Sequence, residues 1–176
     1  MKSNLTSNNI IGGFFALCVP IACFFYWQNG ANERIFDRHF QHIGNESFLD
    51  FRNAENPAAA TDRDLQAALK EYEEQHFQTS LSYFAKYLQK SPDDIHAIFL
   101  AGMAALETDD SEKAIDYLTV ARVNGGVEYY DRATWNLALA YLRAKDTELA
   151  RILLEELVQD KKSTLVPQAR EILTKI

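Results

Sequence analysis

Three kinds of hydrophobic pattern follow one another along the chain. From Ile10 to Trp27, 18 residues run without a charge, IIGGFFALCVPIACFFYW. At 1.5 Å per residue such a helix is about 27 Å long, close to the thickness of a bilayer core. The pattern predicts a nine-residue tail (1–9) and a transmembrane helix over 10–27. Tyr26 and Trp27 fall where amphipathic rings settle at the headgroups, and Pro20 is tolerated at the cost of a kink. The run outlasts the apolar part of a cleaved signal peptide and ends in bulky aromatics rather than small residues, so it reads as an anchor.

A second pattern fills residues 28–61. Ile35, Phe36, Phe40 and Ile43 fall broadly on one helical stripe, Phe48, Leu49 and Phe51 follow, and NAENPAAATD then reads as a linker. Seven large apolar groups are too many for a solvated tether. Three covers are open: self-docking of 35–51 on the chain's own helical domain, the membrane interface, or a partner.

The third pattern, over 62–176, repeats itself. Ser80, Phe84 and Tyr87 correspond to Ala114, Leu118 and Ala121, then to Ala150, Leu154 and Leu157, at offsets of 34 and 36 residues. The small residues Ala68, Gly102 and Ala138 share those two offsets. Two independent markers in one register predict stacked antiparallel helix pairs over 62–94, 95–130 and 131–162, with a capping helix over 163–176. Pro167 in its first turn, followed by Ala169, Ile172, Leu173 and Ile176 at helical spacing, suits that cap.

These residues resemble the tetratricopeptide-repeat (TPR) family, whose 34-residue unit carries W-x2-L-G-x2-Y in one helix and A-x3-F, then Pro, in the next. Leu137, Ala138, Tyr141, Ala150 and Leu154 form the best-matching unit, and Ala101-Gly102 with Ala114, Leu118 and Ala121 the next. Ser80, Phe84 and Pro92 fit a second helix, whereas Asp64, Ala67 and Glu71 depart from the pattern of a first one. Gly125-Gly126 replaces the proline between the second and third units. The resemblance implies an all-α chain: a transmembrane helix, then a TPR-like α-solenoid of about three helix pairs and a cap. It is similar to small membrane-anchored TPR proteins of Gram-negative bacteria, which implies a role in binding proteins.

Charge narrows the partners. The formal net charge is −7, and all 25 acidic residues but only 17 of the 18 basic ones lie after residue 28. An acidic domain without a Lys/Arg stripe lacks the phosphate-neutralising surface that dominates nucleic-acid affinity. Cys18 and Cys23 both lie in the apolar run, so neither a disulfide framework nor a metal pair is formed. Lys2 precedes the span, and Arg34 and Arg38 follow it with Glu33 and Asp37 interleaved, so charge alone does not orient it. A short tail left in the cytoplasm puts the repeats in the periplasm, with the anchor in a bacterial inner membrane.

Chemistry is sparse. His39 and His42 are three residues apart without further ligands at a zinc spacing, and read as solvated. His76 and His96 read as capping or surface residues. Asp93-Asp94 and Asp109-Asp110 precede helices, where carboxylates cap exposed N–H groups, and Glu73-Glu74 and Glu155-Glu156 read as turn or exposed helix-face residues. No nucleophile elbow or phosphate loop is present. The expectation is a non-enzymatic scaffold with no catalytic residue, cofactor or metal.

By the TPR resemblance, the first helix of each pair lines a concave groove. Leu65, Leu69, Tyr72, Phe99, Met103, Leu106, Arg132, Trp135, Asn136, Leu139 and Leu142 are its candidate residues. Phe99, Arg132 and Trp135 are of the types that dominate binding hot spots. The carboxylate clamp of some TPR domains is missing apart from Asn136. Two functions follow: an adaptor holding a peptide or helix of one protein partner, or a chaperone-like, translocon-associated factor engaging exported polypeptides.

Overall fold

The computed structural model describes residues 30–41, 62–160 and 162–176, all of them helix or connecting turn. The apolar run 10–27 and residues 42–51 of the juxtamembrane segment lie outside the described residues. Among the described residues no helix is long and apolar enough to cross a membrane. Among the described residues eight helical segments follow in order: α1 (described over 30–39), α2 (Arg63–Glu73), α3 (Phe77–Leu88), α4 (Ile95–Glu107), α5 (Ser111–Asn124), α6 (Gly126–Arg143), α7 (Thr147–Gln159) and α8 (Val166–Leu173). From α2 onward each helix packs on the next in sequence, and α4 also meets α6 directly.

Aspartates open four of these helices. The Asp62 carboxylate accepts from the Asp64 and Leu65 N–H groups at 2.8 and 3.2 Å. Asp94 accepts from Ala97, Asp110 from Lys113 and Asp146 from Leu149 at 3.0–3.2 Å. Each occupies a donor that the first turn leaves unpaired, an effect of about 1 kcal/mol per cap. Tyr87 at the end of α3 donates its hydroxyl to the other Asp94 oxygen at 2.6 Å. Burial, and then that bond to a carboxylate, push the Tyr87 phenol up to about 12.

The turns inside the three pairs share one geometry. Gln75, Asp109 and Lys145 have φ of 61°, 62° and 68°, at the same 34- and 36-residue offsets as the small-residue markers. At each turn the left-handed residue bonds back to the carbonyl three positions earlier, and the next residue to the one five positions earlier. His76 N–H to Glu71, Asp110 to Ala105 and Asp146 to Tyr141 are the longer bonds, at 2.8–2.9 Å. This pairing closes a helix C-terminus by satisfying its last carbonyls and reversing the chain, a position where glycine is favoured. Here no glycine occupies it.

The register markers all face inward. Ala68, Ser80, Phe84, Ala114, Leu118, Ala121, Ala138, Ala150 and Leu154 are fully buried. Ser80 keeps its hydroxyl satisfied by donating to the Ala68 carbonyl at 2.8 Å. At Gly102 a Cβ would stand 2.8 Å from Leu118 Cγ and 3.3 Å from Tyr117 Cβ, so α4 and α5 touch there through bare backbone.

The link between the second and third pairs differs from its expected form. The boundary expected at 131 falls inside α6, which begins at Gly126 and runs 18 residues. Gly126 has φ of +61°, open to glycine at little cost, and lets the chain reverse without a proline. The two extra residues are thus spent on a longer helix.

Glycine exchange in opposite directions tests this account. Gly102→Ala gains at most about 1 kcal/mol of helix propensity but overpacks Leu118 by about 1–3 kcal/mol, so it should lower the melting temperature. Lys145→Gly relieves a strained left-handed residue and should raise stability by about 1 kcal/mol. Both are read from thermal unfolding followed by circular dichroism; a stabilised Gly102→Ala would mean that the helices do not approach this closely.

Candidate protein-interaction surface

Most residues expected to line a groove lie in the core. Leu65, Leu69 and Tyr72 on α2, Phe99, Met103 and Leu106 on α4, and Leu139 and Leu142 on α6 are all buried. α4 and α6 each pack against a helix on either side, which leaves them little apolar surface to expose. Asn136 is buried as well, its side chain donating to the Arg132 carbonyl at 2.8 Å. Arg132 is exposed, with its guanidinium 5.1 Å from the centre of the Phe99 ring.

Trp135 is only 7% exposed, and part of its cover is α1. The His39 ring meets the Trp135 indole edge-on, with centroids 6.1 Å apart. One turn earlier Phe36 lies under the Arg143 guanidinium, 4.2 Å from ring centre to Cζ. Asn32, another turn back, donates its side-chain N–H to Thr147 Oγ1 at 3.3 Å. Ile35 is buried beside Phe36, and Phe36 stacks on Phe40 with centroids 4.8 Å apart. Positions 32, 35, 36 and 39 form one face of a helix, while Glu33, Arg34, Asp37 and Arg38 on the other face are exposed.

Arg143 is fixed independently of α1. Its Nη1 donates to the Leu106 carbonyl in the last turn of α4 at 2.9 Å, and its Nε pairs with Asp109. The guanidinium thus closes the end of α4, neutralises the carboxylate of the left-handed turn residue, and offers its flat face to Phe36, a cation–π contact. At the other end of α1, Glu171 of α8 lies 3.7 Å from His39 Nε2 and 4.0 Å from Arg38.

Several of these residues were not legible in the sequence. Arg143, Thr147 and Glu171 carry no motif and meet α1 across more than a hundred residues of chain. His39, expected to be solvated, has a side chain only 8% exposed, because α1 turns that face to Trp135. Glu156, expected on an exposed face, binds Arg122 of α5 through both carboxylate oxygens at 2.6 and 2.7 Å. Arg122 also donates to the buried Thr134 hydroxyl at 3.1 Å, tying α5, α6 and α7 together. No pattern in the sequence announces the pair: Arg122 and Glu156 are 34 residues apart, whereas the markers of these two segments are offset by 36.

His76 and His96 have structural partners. His76 stands at the N-cap of α3, its Nδ1 3.1 Å from Glu71 Oε2. Among the described residues Glu71, Glu74 and His76 are the one group that brings metal-ligand atoms together, and ion pairing accounts for the grouping. His96 shares a 2.6 Å hydrogen bond with the Tyr129 hydroxyl. His42 lies outside the described residues.

Compared with protein-family models, curated proteins and solved structures, the chain matches none of them.

The seat of His39 makes the α1 contact depend on pH. Burial pulls the imidazole below its ordinary 6.5, against the pull of Glu171 and helped by Lys175 and Arg38. A group whose value is lowered in the packed state favours that state when neutral, so the contribution is fully present above pH 6.5 and fades as pH falls below it. Glu171 is held below its ordinary range by Lys175 first, so it stays charged through this window. Quenching of Trp135 by acrylamide, in a Trp27→Phe chain, should therefore rise between pH 7 and 5. A His39→Gln chain should show no such rise, and an equal rise in both would reject His39 as the cause.

Proposed function

We propose that this chain is a membrane-anchored adaptor whose TPR-like helical array binds a helix or peptide of another protein. The observation that carries the reading is the seat on α6, α7 and α8, where fixed polar and aromatic groups receive an amphipathic helix. Recognition of such helices rests on side chains one and two turns apart meeting matched groups on a groove, which is the arrangement of Asn32, Phe36 and His39. The offsets of 34 and 36 residues among the buried markers, and again among the turn residues, support an α-solenoid of three pairs and a cap.

The apolar run Ile10–Trp27 supports the anchor, and the proposal places the array in the periplasm. The proposal contains no reaction. The chaperone-like alternative draws on the same seat and differs in its ligand: many unfolded chains rather than one partner.

Two measurements test the reading. Protease added to intact spheroplasts should digest the helical array, and full protection would reject the periplasmic assignment. Photo-crosslinking from position 132, whose side chain is exposed, followed by gentle solubilisation, should capture one saturable protein partner. A smear of unrelated exported chains would instead favour the chaperone-like function, and no capture at all would count against both.

A further inference from the structure

We infer that the face built by Trp135, Arg143, Thr147 and Glu171 selects amphipathic helices of one pattern, and that α1 fills it in cis as a displaceable stand-in for the partner. The pattern is a side-chain amide at one position, an aliphatic–aromatic pair one turn on, and a second ring a further turn on. The inference rests on the adaptor reading and names its ligand.

The chemistry of the seat sets each requirement. Thr147 Oγ1 accepts from an amide N–H, which Asn32 supplies at 3.3 Å. Arg143 is held by the Leu106 carbonyl and Asp109, so its guanidinium presents a flat cation to whatever ring arrives. Lys could not offer that face, and an aliphatic residue in place of Phe36 would forfeit the attraction. Trp135 receives a ring edge-on at 6.1 Å, and burial there outweighs the pull of Glu171, 3.7 Å from His39, so the seat favours an uncharged ring. The outward face of the ligand is unconstrained, since Glu33, Arg34, Asp37 and Arg38 are exposed.

The occupant is suited to leaving. The described part of α1, residues 30–39, gives one face to its seat and leaves the other exposed. Being tethered, it competes at a high effective concentration with few contacts. A partner helix of the same pattern, longer or with additional contacts, gains what α1 lacks and takes its place.

The test uses the full chain in detergent micelles with Trp27→Phe, and a fluorescein-labelled peptide of residues 30–41 as probe. Phe36→Ala in the chain weakens the cis occupant and removes no contact between α2 and α8, so the array stays folded. That chain should bind the peptide at least about tenfold more tightly than the parent, with quenching of Trp135 reduced as the peptide binds. A peptide carrying Phe36→Ala should bind the opened chain about tenfold or more weakly, and one carrying Asn32→Ala several-fold more weakly. Equal binding by parent and opened chain would overturn the cis occupancy, and equal binding by the three peptides would overturn the pattern. If the peptide binds as expected while no partner is captured from membranes, the adaptor reading fails and the seat stands. Capture of a partner with no peptide binding is the reverse.

Discussion

The structure depends on how closely two antiparallel helices can approach. Gly102 against Leu118, and Ser80 donating to the Ala68 carbonyl, put backbone against side chain with no space for a further methyl group. Such contact leaves each pair with one apolar face that it cannot cover alone. Burying a large side chain on that face contributes about 1.5–3 kcal/mol, and from α2 to α8 each helix is covered by the next in sequence. At the end of this series Val166–Leu173 has Ala169 and Ile172 fully buried.

The same constraint fixes the turns. Antiparallel helices in contact need a short reversal, and the left-handed residue at the end of α2, α4 and α6 supplies one without adding chain. At 75, 109 and 145 the residues are Gln, Asp and Lys, so the position costs strain that the packing on either side outweighs. Asp109 recovers part of that cost by pairing with Arg143 of the next helix pair, which ties one unit's turn to its neighbour's C-terminus.

Much of this architecture could be read from side-chain size alone. Small residues recur because close approach demands them, and their register alone places Ala114, Ala138 and Ala150 in the interior. The left-handed turns were not legible, because their signature residue is glycine and none stands there. The start of α6 was missed because Gly125-Gly126 reads as a linker, while the backbone uses Gly126 only to reverse and then continues as helix. The seat of α1 escaped for another reason: Asn32 and Thr147 are 115 residues apart, and no local pattern reports a contact of that separation. The stripe of Ile35 and Phe36 announced that something must cover them, without naming Arg143.

That division bears on what α1 can do. Its two largest buried groups, Ile35 and Phe36, contribute at most about 3–6 kcal/mol together, and ordering a short helix consumes much of this. The array, in contrast, distributes its stability over the successive interfaces from α2 to α8. Release of α1 therefore leaves the rest of the fold intact, and small changes at the seat suffice to shift its population. His39 is one such lever, since its protonation opposes burial against Trp135. A competing helix is another. Both act on the same contact, so on the proposed reading acid and partner should reinforce one another: protonating His39 lowers the free energy that a partner helix must supply to displace α1. The reinforcement has a limit set by Glu171, whose carboxylate draws a protonated ring back toward α8. Removing that charge by Glu171→Gln should steepen the acid release of α1, and a shallower release would assign the proton's effect to a group other than His39.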